Sequence, residues 1–248
     1  MPLWEAVGLT EPQLSNGPDM IIITGASKGI GRYLFSRFKE ENETVIGTYH
    51  STGTGFEEDK TDYYSVDISD FHSVQKFIYS IQDQLDKIIL INCAGISYNS
   101  FAHKSEIEKW DKVIDVNLKG TFYMIHELLP LMREQNFGRI INFSSVVTRL
   151  PTPGTGAYAA SKSALIGLTK SLAIENGSKG ITINVINLGY ANLGMGINDV
   201  PEAYREKMKN QIPSKRFCEP EEVYQTVQYL IRTEYVTGAT IDVTGGII

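Results

Sequence analysis

The sequence predicts a single doubly wound α/β domain on a seven-stranded parallel sheet, and three observations carry that prediction. Short apolar runs, suited to strands buried on both faces, alternate along the chain with stretches of helical period. That alternation implies parallel strands joined by crossover helices on both sides of the sheet. The first run, Met20-Ile-Ile-Ile-Thr24, passes straight into a glycine-rich turn and then a helical pattern. The chain has 248 residues, 42% hydrophobic and 21% charged, which suits one ordinary globular domain with a sizeable core.

The elements follow in order. Residues 1–19 lack the basic start and apolar core of a signal peptide, and Asn16-Gly-Pro-Asp19 reads as a turn. They are expected to form an N-terminal arm ahead of a domain over 20–248. A strand over 20–24 leads to a helix over 32–41, then strands over 44–49 and 63–66. Residues 70–85 read as a helix, because Phe71, Val74, Phe77, Ile78 and Ile81 fall on one side. A strand over 87–92 precedes helical patterns over 104–116 and 118–135. The fifth strand is 139–143, the long helix 158–176 and the sixth strand 181–187. Helices over 201–210 and 220–232 lead to a last strand over 240–243.

Composition narrows the function. Net charge is −6, which argues against broad nucleic-acid binding. No apolar run approaches the roughly 18 residues of a membrane span. Cys93 and Cys218 stand far apart without a Cys-x-x-Cys, and the four histidines show no ligand spacing. Two free thiols in a reducing, cytoplasmic setting are expected, and no metal site.

Gly25-Ala-Ser-Lys-Gly-Ile-Gly31 lies between a strand and a helix, the context that a phosphate-binding turn requires. Bare glycine backbone lets a pyrophosphate approach, and the helix start offers free N–H groups at its positive end. Farther along, Ser145 ends an apolar run, a Pro/Gly-rich loop follows, and Tyr158 and Lys162 stand four apart. On a helix starting near Gly156 they share a face. A nearby ammonium favours the phenolate, so Lys162 is expected to lower the Tyr158 pKa and make it a proton donor or acceptor near neutrality. Ser145 is placed to reach the same substrate oxygen.

Thr24-Gly-Ala-Ser-Lys-Gly-Ile-Gly31, Asn92-Cys-Ala-Gly95, Asn117, Ser145, Tyr158-x-x-x-Lys162 and Tyr235-Val-Thr-Gly238 together resemble the short-chain dehydrogenase/reductase family, with its Rossmann-like fold. Their order and spacing match from residue 20 to the end. Within the family the sequence looks most like the 3-oxoacyl-(acyl-carrier-protein) reductases. The resemblance implies roles. Tyr158 is the acid/base, Ser145 steadies the substrate oxygen, Lys162 tunes the tyrosine and holds the nicotinamide ribose, and Asn117 maintains a water-linked proton relay. Gly25, Ser27, Lys28, Gly29, Ile30, Gly31, His50, Asp67, Ile68, Asn92, Cys93, Ala94, Gly95, Gly189 and Ala191, with Tyr158 and Lys162, are the implied cofactor contacts. Family members are usually homotetramers, or else homodimers.

The sequence departs from the family pattern at Cys93, where a second asparagine is usual, at Leu188 in place of proline, and at Leu193 in place of threonine. Carrier-protein reductases tend to be basic at the positions of Asn136 and Lys179, and only Lys179 is basic here. NADP(H) is expected over NAD(H), since Tyr49-His50-Ser51 supplies no carboxylate to bond a ribose or repel a 2′-phosphate, and Lys28 is positioned to meet that phosphate. The expected reaction is reduction of a small-molecule ketone of the 3-oxoacyl thioester type. A dehydrogenase of a sugar or other secondary alcohol is the alternative within the class. A catalytically silent nucleotide-sensing protein is the rival outside it.

Overall fold

The computed structural model describes residues 19–50, 62–195 and 202–248. The arm expected over 1–19 therefore lies, apart from Asp19, outside the described residues. Seven parallel strands run in the order β3-β2-β1-β4-β5-β6-β7: β1 (Met20–Thr24), β2 (Thr44–Tyr49), β3 (Tyr63–Ser65), β4 (Ile88–Asn92), β5 (Gly138–Ser145), β6 (Ile181–Leu188) and β7 (Thr240–Val243). The chain winds outward from β1 to β3, then crosses back to β4. The order reverses between β1 and β4, and sheets of this kind bind ligands at the carboxyl ends beside such a reversal.

The strands are apolar throughout because both faces are covered, yet they still alternate. Ile22, Leu90 and Ile140 face a core shared with α2 (Phe71–Ile81), α4 (Thr121–Gln135) and α5 (Gly156–Asn176). Ile21, Ile23, Ile89, Ile91 and Ile141 face the opposite core, under α1 (Gly29–Glu40) and α7 (Pro220–Arg232). Among the described residues the other α-helices are α3 (Ile107–Ile114) and α6 (Glu202–Gln211).

Of the boundaries that differ from the sequence reading, three have a clear local reason. Helix α1 opens at Gly29, inside the glycine turn rather than at Arg32. Strand β5 runs on to Ser145 because it pairs with β6 residue for residue, from Gly138↔Ile181 to Ser145↔Leu188. The two helices expected over 104–116 and 118–135 are joined through a π-helical segment, Asp115–Gly120. Gly120 passes so close to the loop after β3 there that a Cβ would lie 2.8 Å from Ile68 Cγ1. Such wide turns are rare and recur at functional sites.

Candidate active site

The glycine turn and the turn after β4 are packed backbone to backbone. Gly25 has φ +69°, and a Cβ on it would lie 2.7 Å from Ala94 Cα. A Cβ on Gly31 would overlap the Gly25 carbonyl. The Ala94 N–H donates to Thr24 Oγ1 at 3.1 Å, and the Ala26 N–H donates to the Thr48 carbonyl at 2.8 Å, so three strand ends hold the turn. Ser27 is buried, Ile30 half-buried and Lys28 exposed. Lys28 stands before α1 in extended backbone and its side chain does not cap the helix. Bare glycine backbone meeting a helix start without a side-chain cap fits a dinucleotide pyrophosphate. From the far side, Gly194 approaches Gly29, its notional Cβ 3.1 Å from Gly29 Cα. Residues 191–195 thus lie over the glycine turn. They are held there by the Asn192 N–H donating to the Cys218 carbonyl at 2.8 Å and by the pairing of buried Ala191 with Cys218. The Gly189 N–H donates to the Val243 carbonyl at 2.9 Å.

At the outer end of this crevice, His50 Nδ1 stands 3.9 Å from Asp67 Oδ2. Partial burial disfavours the Asp67 carboxylate, but the Ser69 hydroxyl and amide at 2.6 and 2.9 Å, with Lys112 and His50 nearby, hold its pKa below the ordinary value. Ile68, next to it, is buried.

Helix α5 starts at Gly156, as the Tyr158–Lys162 spacing requires. Lys162 Nζ lies 5.8 Å from the centre of the Tyr158 ring. The lysine is buried, and its Nζ donates to the Phe143 carbonyl at 2.7 Å. Burial pushes the Lys162 pKa down to about 8. The Cys93 thiol is itself pushed well up by burial, so it stays protonated. Ser144 Oγ donates to the Lys162 carbonyl at 3.0 Å.

Asn117, in the π segment, accepts from the Ile96 N–H at 2.8 Å and donates to the Ile96 carbonyl at 2.9 Å and to Ser161 Oγ at 3.0 Å. Gly95 closes the group: a Cβ there would lie 3.3 Å from Asn117 Oδ1 and 3.5 Å from Lys162 Nζ. Ser145 ends β5 two residues past Phe143, and its Oγ accepts from the Val147 N–H at 3.3 Å. The structure therefore brings Asn117, Lys162, Tyr158 and Gly95 together beside the glycine turn. The His50–Asp67 pair lies apart at the crevice end. Thr24, Ser144 and Ser161 brace the site, and the sequence reading gives none of them a role. Ser161 had a usable signal, because a polar residue beside Lys162 on the buried face of a helix needs a partner.

The family model described as enoyl-(acyl carrier protein) reductase matches residues 25–248. The chain belongs to the short-chain dehydrogenase/reductase family. The 3-oxoacyl-[acyl-carrier-protein] reductase of Staphylococcus aureus strain Mu50 is 36% identical over 237 residues, covering 91% of this chain and 96% of that protein. The acetoacetyl-CoA reductase of Rhizobium meliloti is 36% identical over 233 residues, 91% of this chain and 96% of that protein. Among solved structures, the ligand-free aldohexose dehydrogenase of Thermoplasma acidophilum superposes with a TM-score of 0.83 at 29% identity, covering 93% of this chain and 94% of that one. This short-chain dehydrogenase/reductase is thus an oxidoreductase of the carbonyl/alcohol couple with a nicotinamide cofactor. Among the described residues no helix is long and apolar enough to cross a membrane, and no cluster of three metal-ligating side chains occurs.

Proposed function

We propose that this enzyme reduces a ketone, of the 3-oxoacyl thioester type, to a secondary alcohol with NADPH. The observation that carries the proposal is the convergence of Tyr158, buried Lys162 and Asn117 at Gly95, beside the glycine turn. When bound, the nicotinamide supplies hydride to the carbonyl carbon. The Tyr158 hydroxyl gives a proton to the carbonyl oxygen, and Ser145 steadies that oxygen by hydrogen bonding. Lys162 as ammonium stabilises the tyrosinate left behind and holds the ribose. Asn117 keeps the proton path to Lys162 open.

NADPH is favoured over NADH because β2 ends in Tyr49 and His50 follows it, neither acidic. Lys28 and Arg32, both exposed at the start of α1, offer cations for a 2′-phosphate. The names of the staphylococcal and rhizobial relatives support an oxoacyl thioester. Only Lys179 of the Asn136/Lys179 pair is basic, which favours recognition of the thioester itself over recognition of a carrier protein. A homotetramer or homodimer is the proposed assembly.

The test is a panel of oxoacyl thioesters, simple ketones and aldohexoses assayed with NADPH or NADP⁺ and with the NAD pair. Acetoacetyl-CoA with NADPH is expected to lead. General acid/base help is worth about 10² to 10⁴ in rate, so Tyr158→Phe should lose at least about a hundredfold in kcat with NADPH binding nearly unchanged. A Tyr158→Phe enzyme within about threefold of the parent would overturn the assignment, and tighter binding of NADH than NADPH would overturn the cofactor preference.

A further inference from the structure

A row of polar side chains crosses the middle of the sheet just below the site. Thr24 pairs in register with Asn92, and Asn92 with Asn142, so the three stand side by side on one face of β1, β4 and β5. All three are buried in what is otherwise an aliphatic layer. Asn92 Nδ2 donates to Asn142 Oδ1 at 2.9 Å, and Asn142 Nδ2 donates to Thr169 Oγ1 on α5 at 2.9 Å. Thr169 is fully buried and lies seven residues past Lys162, two helical turns along the same face. Among the described residues the Asn92 side chain makes no other hydrogen bond, and its own Oδ1 is buried without a partner. The orientation of Asn92 is therefore set from the Asn142 side alone.

We propose that Asn142 is a positioning residue for the reaction. It fixes the Lys162-bearing face of α5 against the end of β4 that carries Asn92 to Gly95. Asn142 reaches neither Tyr158 nor Lys162 directly. It acts through Thr169 on one side and Asn92 on the other, the two segments whose separation sets the gap between Gly95 and Lys162 Nζ. The Ser144–Lys162, Lys162–Phe143 and Asn117–Ser161 bonds anchor the first turns of α5. The Asn142–Thr169 bond adds a directed anchor two turns on, and the Asn92–Asn142 bond carries it across to β4, so the tilt of α5 against the Gly95 turn is fixed at a second point in a low-dielectric layer.

The inference rests on the reductase reading above, and the experiment separates the two. Thr169→Val keeps the shape of the side chain and deletes the acceptor, and Thr169→Ser restores it. Small misplacements of catalytic groups cost up to about a hundredfold, so Thr169→Val should lower kcat about ten- to a hundredfold at temperatures well below its melting point. The NADPH dissociation constant, measured by fluorescence, should move by no more than about threefold. As Lys162 loosens from Tyr158, the apparent pKa at which kcat falls with rising pH should rise by about half a unit or more. Thr169→Ser should return kcat to within about twofold of the parent. Thr169→Ala, which only removes atoms, should repeat the loss if the valine variant folds poorly. A merely structural role would lower the melting temperature and leave kcat and its pH profile in place, and that result overturns the proposal. A parent enzyme with no turnover on any carbonyl overturns both readings, whereas an active parent with an unaffected Thr169→Val enzyme overturns this one alone.

Discussion

Lys162 is a cation placed where cations are costly. Its pKa falls from the ordinary 10.5 to about 8 because it is buried, and at neutral pH it is nonetheless protonated. In the unfolded chain it binds its proton up to about pH 10.5, in the folded enzyme only up to about 8. Between those values the unfolded state holds more protons, so this group makes stability rise with pH through that window. Below pH 8 the penalty is present in full, on the order of 3 kcal/mol, partly offset by roughly 1 kcal/mol from the bond to the Phe143 carbonyl. Lys162→Met keeps the aliphatic stem and removes the charge. It should abolish turnover and yet stabilise the cofactor-free enzyme by about 1–3 kcal/mol at pH 7, the gain shrinking toward zero or reversing by about pH 10.5. Urea titrations at pH 7 and pH 10 read this directly. A variant less stable than the parent at pH 7 would show that the buried ammonium is a net structural asset.

At the scale of elements, the first strand–turn–helix unit is one packed object together with the turn after β4. The strand–turn–helix unit was legible from glycines at 25, 29 and 31 after an apolar run, but its packing against the turn after β4 was not. The spacing of Tyr158 and Lys162 was equally readable, because a helical period fixes which residues share a face. Strand β2, helix α7 and strand β7 fall where the apolar pattern and the Pro220 start place them. What stayed hidden depends on partners distant in sequence. The Asn142–Thr169 bond joins residues 27 apart, neither in a motif. Arg139 reads as the first residue of a strand, yet it is a buried cation bonded to the carbonyls of Ile231, Gly138 and Gly180 and to Glu234. The π segment was visible only as a break between two helical patterns, since a wider turn leaves no compositional mark. Gly25→Ala tests the packing of the two turns. It adds a Cβ against Ala94 at a left-handed φ that costs about 1–2 kcal/mol by itself for other residues. The expected outcome is a lower melting temperature and at least about tenfold weaker NADPH binding in fluorescence titration, and unchanged binding would separate the turn from the cofactor.

At the scale of the whole molecule, α5 has two faces that do different work. One carries Ser161, Lys162, Leu165, Thr169 and Leu172 into the body of the enzyme. The other presents Ala160, Ser163, Gly167, Ser171 and Ile174 at helical spacing, and all of them are exposed. Ile174 is 87% exposed, and Phe122 on the neighbouring α4 is 41% exposed, which is costly for side chains of that size on a free surface. Small residues along a helix let a second helix come close. The proposed assembly buries this face against a second copy of the chain. Gly167 offers a clean discrimination, because a Cβ there meets nothing within 4 Å inside the subunit. For a lone subunit, Gly167→Leu should be neutral or stabilising by up to about 1 kcal/mol, since glycine is a poor helix former. For an assembly packed through α5, the same leucine collides with the partner helix. Light scattering should therefore report a multiple of the 27.6 kDa chain for the parent and a lower mass for Gly167→Leu, with the helical circular dichroism retained. A parent that already runs as a single chain, or a variant of unchanged mass, would remove α5 from the interface.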